Sequence, residues 1–303
     1  MLKNAYEPLN PQGLIDKIKK HDNVHLVRYD YRFMTYMPQE KEYLKKLDHD
    51  ISIVIIINDT TCPDDYFDEA IINKHVKKIY SINLRYVHPK CIFLPIGLGI
   101  YGSILDISQI KDELIKHNYE PNKLEDLAKY CVIYRKPINF NADKHYVLLD
   151  FYNGGWDYAK DFGTKSRVWK IRKRYFDYFK SKEREFKKYG FDFLYSEKRL
   201  NVKDTWDQMS KSTFIISPPG NGWDTHRTWE GVVMNKEIII IKGKCNENIG
   251  NWNIGIRELN NYNQVTPQKL KEYLIEMKRR PYTSEIPKEM RMDYWTHRIT
   301  HHL

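Results

Sequence analysis

Residues 217–230 read Ser217-Pro-Pro-Gly-Asn-Gly-Trp-Asp-Thr-His-Arg-Thr-Trp-Glu230 and bring hydroxyl, carboxylate, imidazole and guanidinium side chains together behind a glycine-bearing loop. His226 and Arg227 are cationic or hydrogen-donating, and Glu230 lies four and three residues after them. That spacing puts all three on one face of a helix. A helix amino terminus offers unpaired N–H groups and a partial positive charge. A diphosphate could rest on that first turn while Glu230 accepts hydrogen bonds from two ribose hydroxyls. Asp224 or Thr225 can cap the helix, and Asp224 could instead hold sugar hydroxyls. The same residues also suit a glycine-turned loop followed by a structural Arg–Glu pair.

The flanking residues dictate the elements that hold these groups. The apolar run 214–216 reads as a buried strand, and Ser217, Gly220, Asn221 and Gly222 fall in a segment that can continue neither strand nor helix. Residues 226–234 read as a short helix and 238–241 as a second buried parallel strand. Ligands of open α/β sheets sit beside loops at strand carboxyl ends, which is where this loop falls. Upstream, 135–144 is polar, broken by Pro137, and predicts a linker. A strand at 146–151, a loop at 152–156, a basic helix at 165–187, a strand at 191–195 and a helix at 203–209 follow. The basic helix places Val168, Ile171, Tyr175 and Phe179 on one apolar stripe, with its cations mainly elsewhere.

The first half predicts strands at 23–29, 51–57, 79–84 and from 91. The Ile/Val-rich run 51–57 is expected to be central. Helices are expected at 11–20 and 40–47, and over 111–129 around Pro121. Residues 58–65 form a polar loop after the central strand, where an acceptor would enter. Asp59, Asp64 and Asp65 are the candidate bases to deprotonate an acceptor hydroxyl, with His88 as an outside candidate. Each Asp equally suits a turn or cap. Asp64-Asp65 lacks the spacing of an Asp-x-Asp metal motif.

The segment Ser217-Pro-Pro-Gly-Asn-Gly-x-Asp-Thr-His-Arg-x-Trp-Glu230, with the turn and Ile/Val strand after it, resembles the donor-site motif of exostosin-like glycosyltransferases, including versions encoded by large DNA viruses. The resemblance is dense over 212–242, looser over 145–277 and thin before residue 50. His88 to Leu98 also resembles the family's approach to a Pro-x-Gly loop. The chain departs from the family at Asn235-Lys236-Glu237, where a Gly-Cys or Gly-Ser turn is usual, and it lacks the following Pro. The resemblance implies a GT-B-like α/β fold, two Rossmann-like domains with parallel sheets facing across a cleft. The domains would be 1–140 on the acceptor side and 141–303 on the sugar-nucleotide side, with the C-terminal tail able to pack back on the first. It implies donor binding by Ser217, Gly220, Asn221, Gly222, Asp224, Thr225, His226, Arg227 and Glu230, with Arg167 reaching the diphosphate. It further implies transfer of a hexose or pentose to a glycan or glycoprotein, with inversion. No cofactor beyond the sugar-nucleotide substrate is expected, and transfer is expected to be metal-independent.

The 303 residues suffice for two domains. A net charge of +10 favours an anionic partner: a nucleoside diphosphate, an acidic glycan, a membrane surface or a nucleic acid. Cys62, Cys91, Cys131 and Cys245 form no C-x-x-C pair and are expected to be reduced thiols. No apolar run approaches a membrane span, and the first residues lack a signal-peptide core, so a cytoplasmic protein (host cytoplasm, if viral) is expected. Two other classes stand beside the transferase. A basic nucleic-acid-binding protein accounts for charge and aromatics but leaves 217–230 unused. A non-catalytic nucleotide- or sugar-binding module accounts for the motif without a base.

Overall fold

The computed structural model describes residues 6–29, 37–57, 64–84, 86–98, 107–120, 124–149, 167–196, 200–219, 224–243, 249 and 252–303. The protein is α/β, with two parallel sheets of four and five strands. Strands β1 (Val24–Tyr29), β2 (Ile51–Ile57), β3 (Val76–Ser81) and β4 (Cys91–Phe93) lie side by side in chain order. Helices α1 (Pro11–Ile18), α2 (Met37–Lys45), α3 (Asp64–Ile72), α4 (Ile107–Lys116) and α5 (Leu124–Ile133) belong to this half. β2 is an inner strand whose Ile51, Ile53, Val54 and Ile55 are fully buried, as expected of a run apolar on both faces. α1 starts where Asn10 accepts the Gly13 N–H at 2.7 Å and Pro11 takes the first helical position.

The second sheet contains β5 (His145–Leu148), β6 (Phe191–Leu194), β7 (Phe214–Ile216), β8 (Glu237–Ile241) and β9 (Ile256–Leu259), in the order β6-β5-β7-β8-β9. Helices α6 (Arg167–Lys188), α7 (Val202–Lys211), α8 (His226–Val233), α9 (Pro267–Lys278) and α10 (Met292–Thr300) complete the chain. Successive strand residues point to opposite faces. Val147, Phe214, Ile216 and Ile239 therefore join an aromatic core with Tyr175 and Phe179 of α6, whereas Leu148, Ile215, Ile238 and Ile240 face the other way.

That other face shares one continuous apolar cluster with the first sheet. α8 lies in the seam, and its fully buried Trp229 sits 6.2 Å from Phe93 and 6.1 Å from Trp252 between ring centroids. Trp252 continues to Trp295 of α10 at 6.2 Å, and Trp295 meets Tyr80 of β3 edge-on at 6.4 Å. The last residues return to the first sheet. Asn23 donates to the Thr300 carbonyl at 2.7 Å, Ser52 pairs with His302 at 2.8 Å, and Tyr80 donates to the Arg298 carbonyl at 2.9 Å.

Two local expectations are corrected. The third strand ends at Ser81, not residue 84, because Ile82 and Asn83 turn and Asn83 adopts φ 51°. A helix begins at Asp64, inside the segment expected to be loop. The polar stretch 135–144 has no helix or strand, and its first residue is anchored: Arg135 is buried and donates to the carbonyls of Val232, Val233 and Thr283 at 3.1, 2.8 and 3.0 Å. Helix C-terminal carbonyls lack partners within the helix, and the guanidinium supplies them for α8.

Candidate functional site

The strand order of the second sheet reverses between β5 and β7: counted within the sheet it is 2-1-3-4-5. At such a switch point the loops leave the two strands in opposite directions and open a crevice at their carboxyl ends. Ser217 follows β7 at this point. Its backbone N–H donates to the Ile239 carbonyl at 2.9 Å, and its Oγ lies 2.9 Å from both Thr225 Oγ1 and Thr228 Oγ1. Three hydroxyls thus staple the two ends of the loop together. Thr225 is the extended residue before α8 and makes no side-chain cap, because its hydroxyl is spent on that staple. Gly220, Asn221 and Gly222 lie outside the described residues.

Asp224 and His226 point across the seam. The Ile96 N–H donates to Asp224 Oδ2 at 2.7 Å, Trp229 Nε1–H donates to Oδ1 at 2.6 Å, and the Asp224 N–H donates to Asn83 Oδ1 at 2.9 Å. Burial drives the Asp224 carboxyl up to about 7, against the pull of N–H groups from Ile96, Trp229 and Thr225. Asp224 is therefore a tie between the sheets, with both oxygens engaged. His226 Nδ1 lies 2.8 Å from the Gly97 carbonyl, which can only accept, so Nδ1 carries the proton. In the neutral ring Nε2 is then an acceptor, and it donates only as the imidazolium. Asn83, Ile96 and Gly97 all follow strands of the first sheet, so the carboxyl edges of both sheets meet at the amino end of α8.

Arg227 and Glu230 follow on α8, each partly exposed. Burial first, then the negative charge of Glu230, push the Cys131 thiol up, which sets Glu230 beside α5. Arg167 is the first residue of α6, and its side chain lies outside the described residues. Five residues on, Arg172 Nε donates to the Pro219 carbonyl at 2.9 Å and so grips the motif loop. The α6 charge run carried the only advance sign of that contact, and its cations read as a solvated face.

The first-sheet candidates separate. Asp59 lies outside the described residues, and Asp64 opens α3 with its side chain also outside them. Asp65 is exposed and pairs with Lys41 of α2 at 2.8 Å, and that hydrogen bond holds its carboxyl below the ordinary range. His88 accepts the Lys90 N–H at 3.1 Å just ahead of β4, at the amino edge of the sheet and away from the seam. Asn83 was missed because Ser-Ile-Asn-Leu read as a strand end. Asn is scarce in strands and tolerates the left-handed region, which is the signal that was there to use. Asn83 is 1% exposed, and its Nδ2 has no partner. An unmet buried donor costs about 1–3 kcal/mol.

No protein-family profile matches this chain, and no curated protein shows significant similarity to it.

The turn Asn235-Lys236-Glu237 has its own chemistry. Asn235 takes φ 61°, the backbone state a glycine would otherwise supply. Lys236 is buried, donates to the Ser210 carbonyl at 2.6 Å, and is pushed down to about 8 by burial. Glu237 is buried between Arg257 and Arg280 and ion-pairs with both. These groups lie at the amino end of β8, the opposite edge from the seam. Among the described residues no group of three His, Cys, Asp or Glu could hold a metal ion, and no helix is long and apolar enough to cross a membrane.

Proposed function

We propose that the protein is a glycosyltransferase that moves a sugar from a nucleoside-diphosphate sugar to a hydroxyl of a glycan acceptor, using a GT-B-like arrangement of its two sheets. The observation that carries this reading is the amino end of α8, set at the switch point of the second sheet and against the carboxyl edge of the first. The acceptor oxygen attacks the anomeric carbon, the bond from that carbon to the diphosphate breaks, and the hydroxyl proton passes to a base. Negative charge grows on the departing diphosphate, and the α8 N–H groups and Arg227 stabilise it without reorganising. Glu230 accepts from the ribose hydroxyls. Ser217, Thr225 and Thr228 hold the loop shut behind the phosphates, and Arg172 steadies it at Pro219. The base comes from Asp59 or Asp64, since Asp65 is engaged by Lys41. Transfer needs no metal in this scheme.

Calorimetric titration with a panel of sugar nucleotides tests the reading. Wild type is expected to bind at least one, and Arg227→Ala to weaken that binding by about 1.5–3 kcal/mol, the worth of a hydrogen bond to a charged group. Unchanged affinity in a folded variant would move the phosphates elsewhere. Activity that vanishes in excess EDTA and returns with Mn²⁺ would overturn the metal-free scheme.

A non-catalytic sugar-nucleotide module is the second reading. It is favoured because the two candidate bases with described side chains are both set aside, Asp65 by its pairing with Lys41 and His88 by its place at the amino edge of the first sheet. Binding without transfer or hydrolysis would select it.

A further inference from the structure

We propose that Asn83 is a ligand-binding residue, its side-chain Nδ2–H donating to an unprotonated oxygen of a diphosphate seated at the amino end of α8. The inference rests on the nucleoside-diphosphate reading above and adds to it a contact from the first sheet. Asn83 stands two residues beyond the end of β3, on the edge that faces α8. Its Oδ1 takes the N–H of Asp224, two residues before α8 begins. Because a backbone N–H can only donate, that contact fixes which end of the carboxamide is the oxygen. Nδ2, the other end of the same small group, is therefore at the approach to α8, buried and without a partner.

The surroundings specify what the missing partner is. The polar groups that flank the approach to α8 already hold one another in place. Asp224 accepts through both oxygens, the Gly97 carbonyl accepts from His226, and Ser217, Thr225 and Thr228 satisfy one another. A hydroxyl and a phosphate oxygen can both accept from Nδ2, but only the phosphate oxygen carries the charge that the positive end of α8 favours. The backbone adds a restriction. At φ 51° glycine would serve the turn at no steric cost, so the amide is surplus to the turn itself.

The test uses Asn83→Asp and Asn83→Gly in the full chain. Asn83→Asp keeps the acceptor for Asp224 and tolerates the left-handed turn, but it replaces the donor with an oxygen. Asn83→Gly keeps only the turn. Wild type, both variants and Arg227→Ala are titrated with UDP, GDP and ADP and with the matching nucleosides, and each protein is melted. The expected result is about tenfold or greater loss of nucleoside-diphosphate affinity in Asn83→Asp, a smaller loss in Asn83→Gly, and nucleoside binding unchanged. Wild-type diphosphate affinity in both variants, with Arg227→Ala weakened, would overturn the role of Asn83 and leave the diphosphate site standing. A lowered melting temperature with affinity retained would make the amide a water-held structural group and overturn it equally. Failure of wild type to bind any of the three diphosphates would remove both readings together.

Discussion

Asp224 joins three segments through one carboxylate, and its environment makes the join sensitive to pH. Its carboxyl titrates near 7 in the folded chain, above the ordinary 3.8, because burial penalises the charge. A group whose folded value is raised binds its proton more tightly in the native state. Its contribution to stability is therefore full below about 4 and is lost as pH rises through about 7. Urea unfolding of wild type and Asp224→Asn from pH 4 to 8 should show this directly. The wild-type-minus-variant difference should fall with rising pH, by at most about 1.4 kcal/mol per pH unit, and a flat difference would refute the assignment. Gly97 is the other sensitive residue of the seam. It has φ 70°, and a Cβ there would stand 2.5 Å from the Leu9 carbonyl oxygen, so Gly97→Ala should lower the melting temperature and displace the His226 contact together. At this scale the residue types at 217–230 were legible, because a glycine loop followed by cations limits the chemistry. That Asp224 and His226 spend their hydrogen bonds on the opposite sheet was not, since pairings such as Asp224 with Ile96 join residues far apart in the chain.

Helix α8 is held at both ends by other elements. Arg135 takes its last carbonyls, and Arg135→Lys, which lacks the planar fork, should cost about 2–3 kcal/mol in chemical denaturation. Cost below 1 kcal/mol would mean water replaces the fork. Mid-helix, Gly231 lets α8 lie close on the sheet: a Cβ there would come within 2.3 Å of Ile238 Cδ1 and 2.9 Å of Ile215 Cδ1. Alanine would gain about 1 kcal/mol in helix propensity, but overpacking costs about 1–3 kcal/mol. Gly231→Ala is therefore expected to melt lower than wild type, and a higher melting temperature would show that the two isoleucines move aside freely. Elements with strong patterns were readable in advance. β2 announces itself by its Ile/Val run, and α6 by the stripe that buries Tyr175 and Phe179. Edges were not: β3 looked longer because Ile82 and Leu84 are apolar and buried, although they lie in the turn and loop beyond the strand.

The whole molecule is built around one seam. The apolar cluster that lines the first sheet runs on through Trp229, Val232, Ile238 and Trp295. Separating the sheets would expose that surface to water, so the chain should unfold in one cooperative calorimetric transition. Two resolved transitions would show that each sheet has a sufficient core of its own. The individual strands were legible from apolar runs and loops, whereas their grouping into two parallel sheets was only what the resemblance implied. The continuity of the sheets across the seam was not legible, because nothing in a local pattern says which apolar face meets which. Charge is distributed unevenly as well: α6 holds ten Lys or Arg against three Asp or Glu, a net +7 of the chain's +10. Its three acids pair within the helix, as Lys173–Asp177, Lys180–Glu183 and Lys182–Glu185.

The row Phe93, Trp229, Trp252, Trp295 and Tyr80 also gives the molecule an optical reporter. Three indoles with neighbouring centroids 6.1 and 6.2 Å apart are close enough to exchange excitation, and they lie where a ligand at α8 would press the sheets together or part them. Near-ultraviolet circular dichroism and tryptophan emission should therefore register movement of the seam without an added label, and Trp252→Phe should silence most of that signal.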